Sequence, residues 1–243
     1  MIIKTMTKNE LTRIFDRDTD RLESFWWLKE KILSRQLRQD MRRNIVYRKT
    51  YDVRTKNADY KCVCIIGRGV RSVSYLMHVH ENNEYIPITN TTCRVSEVLQ
   101  AISVHTFRRI SERYYHDTEF NLDKTIARYY SCPLMGLVLY ANREDRRMVC
   151  ATTGGIFLGT YDPDRYIMHV RTFVSNDMLK ESQLEAVKKV VFILDSFPKK
   201  QAGSLKEAEL IAHKNSVLCH NADFERVYEI YGGYFKEKKD AKK

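Results

Sequence analysis

One short stretch of the chain, between Ser103 and His116, carries side chains that could perform acid–base or phosphate chemistry. On an α-helix with about 100° per residue, its polar members fall within an arc of about 100°. They are His105, Arg108, Arg109, Glu112 and His116. Imidazoles exchange protons near neutral pH, guanidiniums hold phosphate oxygens, and a carboxylate can orient either group. This combination predicts a metal-independent phosphodiester-cleaving site or an RNA-contacting helix.

The same pattern is also typical of an ordinary amphipathic surface helix. Phe107, Ile110 and Tyr114 fall on the opposite side, where they would pack against a sheet. On a solvated face, Glu112 would pair with Arg108 or Arg109, an interaction worth roughly a few tenths of a kcal/mol. The sequence leaves both interpretations open.

Two further polar groups could meet this helix. Thr172 and Ser175, near the end of a predicted strand, could position a phosphate through their hydroxyl groups, although threonine is also common in strands for packing reasons. His78 and His80 alternate with Val79 and therefore share a strand face. That pair could complete a catalytic group, or chelate a metal together with His105 or His116, but it is also typical of an exposed polar face.

Standard cofactor and metal motifs are missing from the sequence. The six cysteines show no CxxC spacing, and no HExxH, GxSxG, DxDxDG or GxxxxGK[ST] motif occurs. Cys62 and Cys64 lie two residues apart in an apolar run, which predicts buried, reduced thiols on one strand face. We therefore expect no cofactor and no resident metal.

The charge balance favours a phosphate-rich partner. The chain has 42 Lys and Arg against 31 Asp and Glu, a formal net charge of +11. Between Lys31 and Lys56, nine residues are basic and two are acidic. Basic side chains displace condensed counterions when they meet a nucleic-acid backbone. The predicted nucleic-acid-binding residues are Lys31, Arg35, Arg38, Arg42, Arg43, Arg48 and Lys49. A solvated helix face would show the same composition.

Hydrophobic periodicity predicts the elements that position these groups. The predicted helices span residues 10–43, 104–114, 122–130 and 177–194, with short helical segments after residue 204. The predicted strands span residues 61–66 and 72–80 as a hairpin, then 147–153, 156–161 and 166–174 as a meander joined by Gly154-Gly155 and Asp162–Arg165 turns. The fold class is therefore α+β, with an antiparallel sheet packed by helices, a helical N-terminal arm and a helical C-terminal tail.

These elements divide into three segments. Residues 1–56 form a basic helical arm, residues 57–200 an α+β core domain, and residues 201–243 a C-terminal helical segment with a basic tail. No apolar run is long enough to cross a membrane, and the N-terminus lacks the features of a secretory signal. The prediction is a cytoplasmic protein without a membrane partner.

An alternative to nucleic-acid binding comes from the aromatic residues of the arm. Phe25, Trp26 and Trp27 lie together on a charged helix, and large aromatics often anchor protein interfaces. The competing interpretation is that they pack on the domain's own sheet. The alternative function is thus a non-catalytic protein–protein interaction, with a partner or through self-association.

The order of motifs resembles that of uncharacterised phage and mobile-element proteins. The resemblance is carried by Val104-His-Thr-Phe-Arg-Arg-Ile-Ser-Glu-Arg-Tyr114, by Arg171-Thr-Phe-Val-Ser175 and by the following Asn176-Asp-Met-Leu179, and it covers residues 96–196. The chain is also similar, more distantly, to the barnase–EndoU–colicin–toxin superfamily of small ribonucleases. Its long N-terminal arm, first hairpin and C-terminal helices depart from those compact toxins.

The resemblance implies a function and roles for particular residues. It implies metal-independent RNA cleavage, with His105 as acid or base, Arg108 or Arg109 on the phosphate, and Thr172 or Ser175 as a positioning group. The first expectation is therefore a nucleic-acid-interacting protein, with RNA favoured and ribonuclease activity as its catalytic form. The alternative is a structural or interaction protein of a phage or mobile element.

Overall fold

Three helices and nine strands account for most of the residues that the structure describes. The computed structural model describes residues 2, 5–40, 46–67, 69–88, 99–131, 136–141, 146–152, 154–181, 184, 185 and 188. Its helices are α1 (Lys8–Gln39), α2 (Val104–Arg113) and α3 (Leu122–Ser131). Its strands are β1 (Val46–Arg54), β2 (Asp59–Gly67), β3 (Val70–Val79), β4 (Glu84–Ile88), β5 (Leu99–Ser103), β6 (Gly136–Ala141), β7 (Arg147–Thr152), β8 (Gly155–Asp162) and β9 (Ile167–Ser175). None of the helices in this described part has both the length and the hydropathy needed to span a membrane.

The chain forms two compact units. Unit 1 comprises Met1–Pro133 and Asp162–Val170, and unit 2 comprises Leu134–Tyr161 and Arg171–Lys243. In unit 1 the strand order is β1-β2-β3-β4-β5, followed by the first part of β9. All neighbouring pairs from β1 to β5 are antiparallel, and β5 pairs with β9 in parallel.

Helix α1 covers one face of the unit 1 sheet. A capping box starts it: Thr7 Oγ1 accepts from the Glu10 amide, and the Glu10 carboxylate accepts from the Thr7 amide at 2.7 Å. Its buried stripe of Leu11, Phe15, Leu22 and Leu33 belongs to one core cluster with the inward residues of β2 and β3. These strand residues include Tyr60, Cys62, Cys64, Ile66, Tyr75 and Met77.

A buried carboxylate fixes α1 on the sheet. Asp18 is buried in the middle of the helix and accepts hydrogen bonds from Thr55 Oγ1 at 2.7 Å, Asn57 Nδ2 at 2.7 Å and Tyr60 Oη at 3.0 Å. Thr55 and Asn57 lie in the turn between β1 and β2. Hydrogen bonds to a charged acceptor are stronger than those between neutral groups, so this cluster sets the position of α1 along the hairpin.

Helices α2 and α3 belong to the opposite face. Thr50 Oγ1 of β1 donates to the Asp123 carbonyl at 3.0 Å, whereas the next residue, Tyr51, contacts Phe25 of α1. Since neighbouring strand residues point to opposite faces, α1 and α3 enclose the sheet. Phe107 of α2 is fully buried and lies edge-on to Tyr129 of α3, with ring centroids 5.9 Å apart.

Unit 2 contains the meander. Strands β6, β7 and β8 pair antiparallel, and the Arg171–Ser175 part of β9 follows β8 in the sheet. Gly155 already pairs with Thr152, so the tight turn begins one residue earlier than the predicted Gly154-Gly155. Gly155 has φ +152°, and a Cβ there would overlap the Val174 carbonyl oxygen, which explains the glycine.

The α+β class, the helical arm, the first hairpin and the meander are confirmed. Four strands, β1, β4, β5 and β6, were not predicted. Val46–Arg54, predicted as part of the helical arm, forms β1. Asn176–Met178 forms a 3-10 turn, so the predicted 177–194 helix starts later, and most of it lies outside the described residues. The predicted C-terminal segment of residues 201–243 also lies outside them.

We expect Asp18 to be a major determinant of stability. Asp18→Ala removes the shared acceptor of three side-chain donors, and a buried donor without its acceptor costs roughly 1–3 kcal/mol. The free energy of unfolding should fall by about 3 kcal/mol in a denaturant titration. Asp20→Ala, an exposed change on the same helix, is the control and should stay within about 0.5 kcal/mol of the parent. Equal stability of the two variants would contradict this role.

Candidate functional site

The second half of α1 presents a positively charged surface, which we call the basic stripe: Lys31, Arg35 and Arg38. The spacing of four and three residues places all three on one side of the helix. Each is exposed, and none forms an ion pair with another described residue. Glu30, the one acid of this half in the sequence, is buried and pairs with Arg71 at 3.1 Å. The stripe is therefore free to meet an anionic partner.

Of the other predicted nucleic-acid-binding residues, the two that the structure describes lie on β1 rather than on the basic stripe. Arg48 and Lys49 are exposed on β1, and Arg48 Nε donates to Ser131 Oγ at 3.0 Å. Arg42 and Arg43 lie outside the described residues. Arg13, Arg17 and Arg21, which were not singled out from the sequence, are exposed on the same side of α1 as the stripe, among the exposed acids Asp16 and Asp20.

Most of the polar stripe predicted on residues 105–116 is present on α2. His105, Arg108 and Glu112 are exposed, and Arg109 Nη1 pairs with Glu112 Oε2 at 2.8 Å. The opposite side is buried, as predicted, through Phe107 and Ile110. His116 is not part of the stripe, because the helix ends at Arg113 and His116 adopts a left-handed conformation with φ 53°.

Ser103 sets the start of this helix. Its hydroxyl accepts from the Thr106 amide at 3.1 Å, while the residue itself ends strand β5. Thr106 Oγ1 donates to the Val170 carbonyl of β9 at 2.9 Å. These two hydrogen bonds orient α2, and with it the polar stripe, relative to the unit 1 sheet.

The environment of His105 favours the neutral imidazole. Partial burial lowers the pKa of His105, and the neighbouring Arg109 and Arg113 lower it further. A neutral imidazole can accept a proton at neutral pH. Arg109 Nε is buried and has no hydrogen-bond partner among the described residues. This side of α2 thus combines a proton acceptor with guanidinium donors.

Thr172 and Ser175 belong to unit 2, whereas the α2 stripe belongs to unit 1. Thr172 is half-buried on β9. Ser175 is buried at the end of that strand, and its Oγ has no hydrogen-bond partner among the described residues. The six predicted catalytic residues are therefore divided between the two units.

Residues that the sequence pattern did not connect form a second polar site in unit 1, the histidine cleft. The cleft has a volume of about 320 Å³, and Asp59, Lys61, His78, His80 and Tyr85 are among its lining residues. His80 Nε2 lies 2.8 Å from Asp59 Oδ2. The His78 ring stacks on Tyr85 with centroids 4.6 Å apart and lies 4.1 Å from the His80 ring. The prediction that His78 and His80 share a face agrees with this contact.

Charged groups in the cleft are largely neutralised by one another. Lys61 Nζ contacts Asp52 and Asp123, each at 2.7 Å. Burial alone lowers the pKa of Lys61, but the hydrogen bonds with Asp123 and Asp52 outweigh it and raise the pKa above its usual value. Likewise, burial raises the pKa of Asp59, but hydrogen bonds from His80 and Arg54 outweigh it and hold the pKa below its usual range. The lining includes two carboxylates and two cations, which does not favour an anionic ligand.

The histidine cleft has the components of acid–base chemistry. A carboxylate that orients an imidazole is the arrangement used for general-base catalysis. The sequence analysed alone could suggest only the His78–His80 pair. The register of β2 against β3 brings Asp59 to this pair. Tyr60 pairs with Met77, so Asp59 lies opposite His78.

A second histidine pairs with a carboxylate elsewhere in unit 1. His169 Nδ1 lies 2.9 Å from Glu84 Oε2, and both side chains are buried between strands of the sheet. Because both side chains are buried, the geometry fits a structural contact. Across the described residues, no group of three or more His, Cys, Asp or Glu side chains is arranged to hold a metal ion.

Comparison with known proteins adds no further constraint. No family model matches the chain, and neither a curated protein nor a solved structure matches it. The resemblance to small ribonucleases therefore stays a prediction.

Protonation of His78 should link stability to pH. Burial lowers the pKa of His78, partly offset by its contact with Asn83. An unfolded histidine binds a proton near pH 6.5, whereas His78 in the folded chain binds it only at lower pH. The folded state therefore loses stability as the pH falls from 7 towards 5.

His78→Gln should make this loss smaller, measured as the free energy of unfolding at pH 7, 6 and 5. Some slope should remain, because the pKa of His105 is also lowered, by its own partial burial. Leu28→Ala, an exposed change that alters no titratable group, is the control and should keep the parent's pH dependence. An unchanged slope in His78→Gln would rule out this origin.

Proposed function

We propose that the chain binds nucleic acid, with RNA as the favoured partner, through the basic stripe of α1. The observation that supports this is the exposure of Lys31, Arg35 and Arg38 on one side of a rigid helix, without an ion-pair partner among the described residues. On an α-helix the three side chains span about 10 Å, enough to contact more than one phosphate. The formal net charge of +11 adds long-range attraction to an anionic polymer.

The α1 scaffold suits this task. Burial of Leu22 and Leu33 and the hydrogen bonds to Asp18 fix the inner side of the helix to the sheet. The outer side can therefore present its cations without a change of backbone conformation. A preorganised surface loses less entropy on binding than a flexible basic segment does.

Neutralising the stripe should weaken binding in a salt-dependent way. For Lys31→Gln/Arg35→Gln/Arg38→Gln we expect an affinity loss of about tenfold or more at low salt. The slope of log affinity against log salt should become shallower by about 2 to 3, since each phosphate contact contributes about 0.7 to 0.9. Fluorescence anisotropy of a labelled oligonucleotide measures both quantities.

A matched control lies on the same helix. Arg13→Gln/Arg17→Gln/Arg21→Gln changes the net charge equally, but at positions interleaved with the exposed acids Asp16 and Asp20. It should weaken binding less and change the slope less. If the two triple variants behave identically, net charge rather than the stripe accounts for binding.

We also propose RNA cleavage without a metal ion as a second activity, with His105 as the proton acceptor. The observation that favours it is the geometry of α2, where His105 is exposed on the same side of the helix as Arg108 and Arg109. Burial and the neighbouring Arg109 and Arg113 lower the pKa of His105, which is consistent with a proton acceptor. Neutral imidazole would take the proton from a ribose 2′-hydroxyl, whose oxygen then attacks the adjacent phosphorus, while the 5′-oxygen of the next nucleotide leaves and takes a proton from solvent. Arg108 or Arg109 would stabilise charge on the phosphate. Thr172 and Ser175 belong to the other unit, so their positioning role stays a prediction from the sequence.

The cleavage proposal is tested in EDTA with a model RNA. His105→Ala should reduce the rate roughly 10²- to 10⁴-fold, the usual contribution of a general base, while oligonucleotide affinity stays unchanged. His116→Ala, which alters a histidine outside the helix, should cleave like the parent. Persistent cleavage by His105→Ala would show that His105 is not the base.

A further inference from the structure

Unit 1 contains an apolar cleft between α1 and β3, which we call the tryptophan cleft. Its volume is about 340 Å³. Its apolar walls come from Phe15, Leu22, Trp26 and Trp27 of α1 and from Val73 and Tyr75 of β3. The volume lies in the lower part of the range of small-ligand pockets, which run from about 300 to 1,000 Å³.

One aromatic side chain of the tryptophan cleft, that of Trp27, is exposed to solvent. Trp27 is 58% exposed, whereas Trp26 is half-buried and Tyr75 is buried. Tyr75 is fixed by its hydroxyl, which donates to the Leu22 carbonyl at 3.2 Å. The floor of the cleft is therefore rigid, and the Trp27 indole offers a face to a ligand. Large exposed aromatics beside an apolar cleft commonly mark a binding site.

The tryptophan cleft and the basic stripe lie on the same helix. Trp27 precedes Lys31 by four residues, so the two side chains are one turn, about 6 Å, apart on the same side. Arg35 and Arg38 continue the line. A row of cations beside aromatic rings is the combination that binds single-stranded nucleic acid, with the phosphates on the cations and the bases stacked on the rings.

We propose that the tryptophan cleft receives an unpaired base of single-stranded nucleic acid whose backbone follows the basic stripe. This proposal rests on the proposed function and specifies its ligand. Bases of a duplex are stacked on one another, so they cannot present a face to Trp27. The chain consequently binds single strands in preference to duplexes of the same sequence.

The polar groups of the cleft agree with a base rather than a phosphate as occupant. Glu23 and Thr19 complete the lining, and a carboxylate repels phosphate but accepts hydrogen bonds from an exocyclic amino group. Glu23 therefore faces a base edge. Since Thr19 Oγ1 donates to the Phe15 carbonyl at 2.9 Å, its oxygen is oriented to accept as well.

The charge pattern argues against a second copy of the chain as the occupant. A second copy of the chain carries the same formal net charge of +11, so it gains no attraction from the basic stripe. Like charges brought together in an interface are unfavourable. A polyanion instead gains attraction from the same stripe.

The test compares one single-stranded RNA oligonucleotide, designed to be unstructured, with the duplex of the same sequence. Trp27→Ala should weaken single-strand binding by roughly 5- to 100-fold, the usual effect of losing one base–aromatic stack. Its duplex affinity should be unchanged, because the phosphates still meet the stripe. Trp27→Phe should retain most of the affinity, since phenylalanine also offers a face for stacking.

Leu28→Ala is the matched control. Leu28 is 56% exposed and directly follows Trp27, but it does not line the cleft. Its single-strand affinity should equal the parent's. Circular dichroism and thermal melting should show that Trp27→Ala is folded, as expected for a truncation at an exposed site.

The outcomes separate this inference from the proposed function. If Trp27→Ala weakens the binding of single strands and duplexes equally, or weakens neither, the base-stacking inference is overturned. The proposed role of the basic stripe would be unaffected by that result. A parent that binds neither nucleic acid would overturn both. A parent dimer that Trp27→Ala dissociates, with single-strand affinity unaffected, would overturn the inference in favour of self-association.

Discussion

The buried carboxylate of Asp18 is the interaction on which the positions of the other features depend. It joins the middle of α1 to the turn between β1 and β2 through three side-chain donors. A buried charge without such partners would be strongly unfavourable, so the helix is held where all three donors reach it. That placement decides which residues of α1 face the sheet and which remain outside. The basic stripe and Trp27 are consequences of it.

The parts of the fold that could be predicted are those with local signals. Apolar periodicity in α1 and α2 and the turns of the meander all act over a few residues. Strand β4 could not be predicted, because Pro87 and Glu84 are unusual in a central strand. In the structure, Pro87 lies beyond the two residues of β4 that pair with β5, and Glu84 is buried beside His169.

Strand β1 shows a different limit. Its charged residues continued the basic composition of the preceding helix, so no change of period marked the boundary. What makes it a strand is pairing along its full length with β2, from Val46 opposite Gly67 to Arg54 opposite Asp59. Such pairing is a tertiary interaction that composition does not report.

The candidate sites divide in the same way. Helical spacing was sufficient to find the α2 stripe and its Arg109–Glu112 pair, but not the end of the helix before His116. The sequence left open whether Trp27 packs on the sheet; about 140° of helix rotation separates it from the buried Leu22, and it is exposed. The histidine cleft needs strand register to bring Asp59 to His80, and the tryptophan cleft needs β3 as its second wall.

The double role of Ser103 has a consequence for how this architecture can change over time. Because the same residue finishes β5 and caps α2, no linker separates sheet from helix, and the rotational phase of α2 is inherited directly from the strand. One residue inserted at this junction would rotate the helix by about 100°. Polar residues of the exposed side would then turn towards the core, and apolar residues would turn towards solvent. Insertions and deletions are therefore expected in other loops and not at this junction. The orientation of His105 is constrained by the same requirement that keeps the apolar side of α2 in the core.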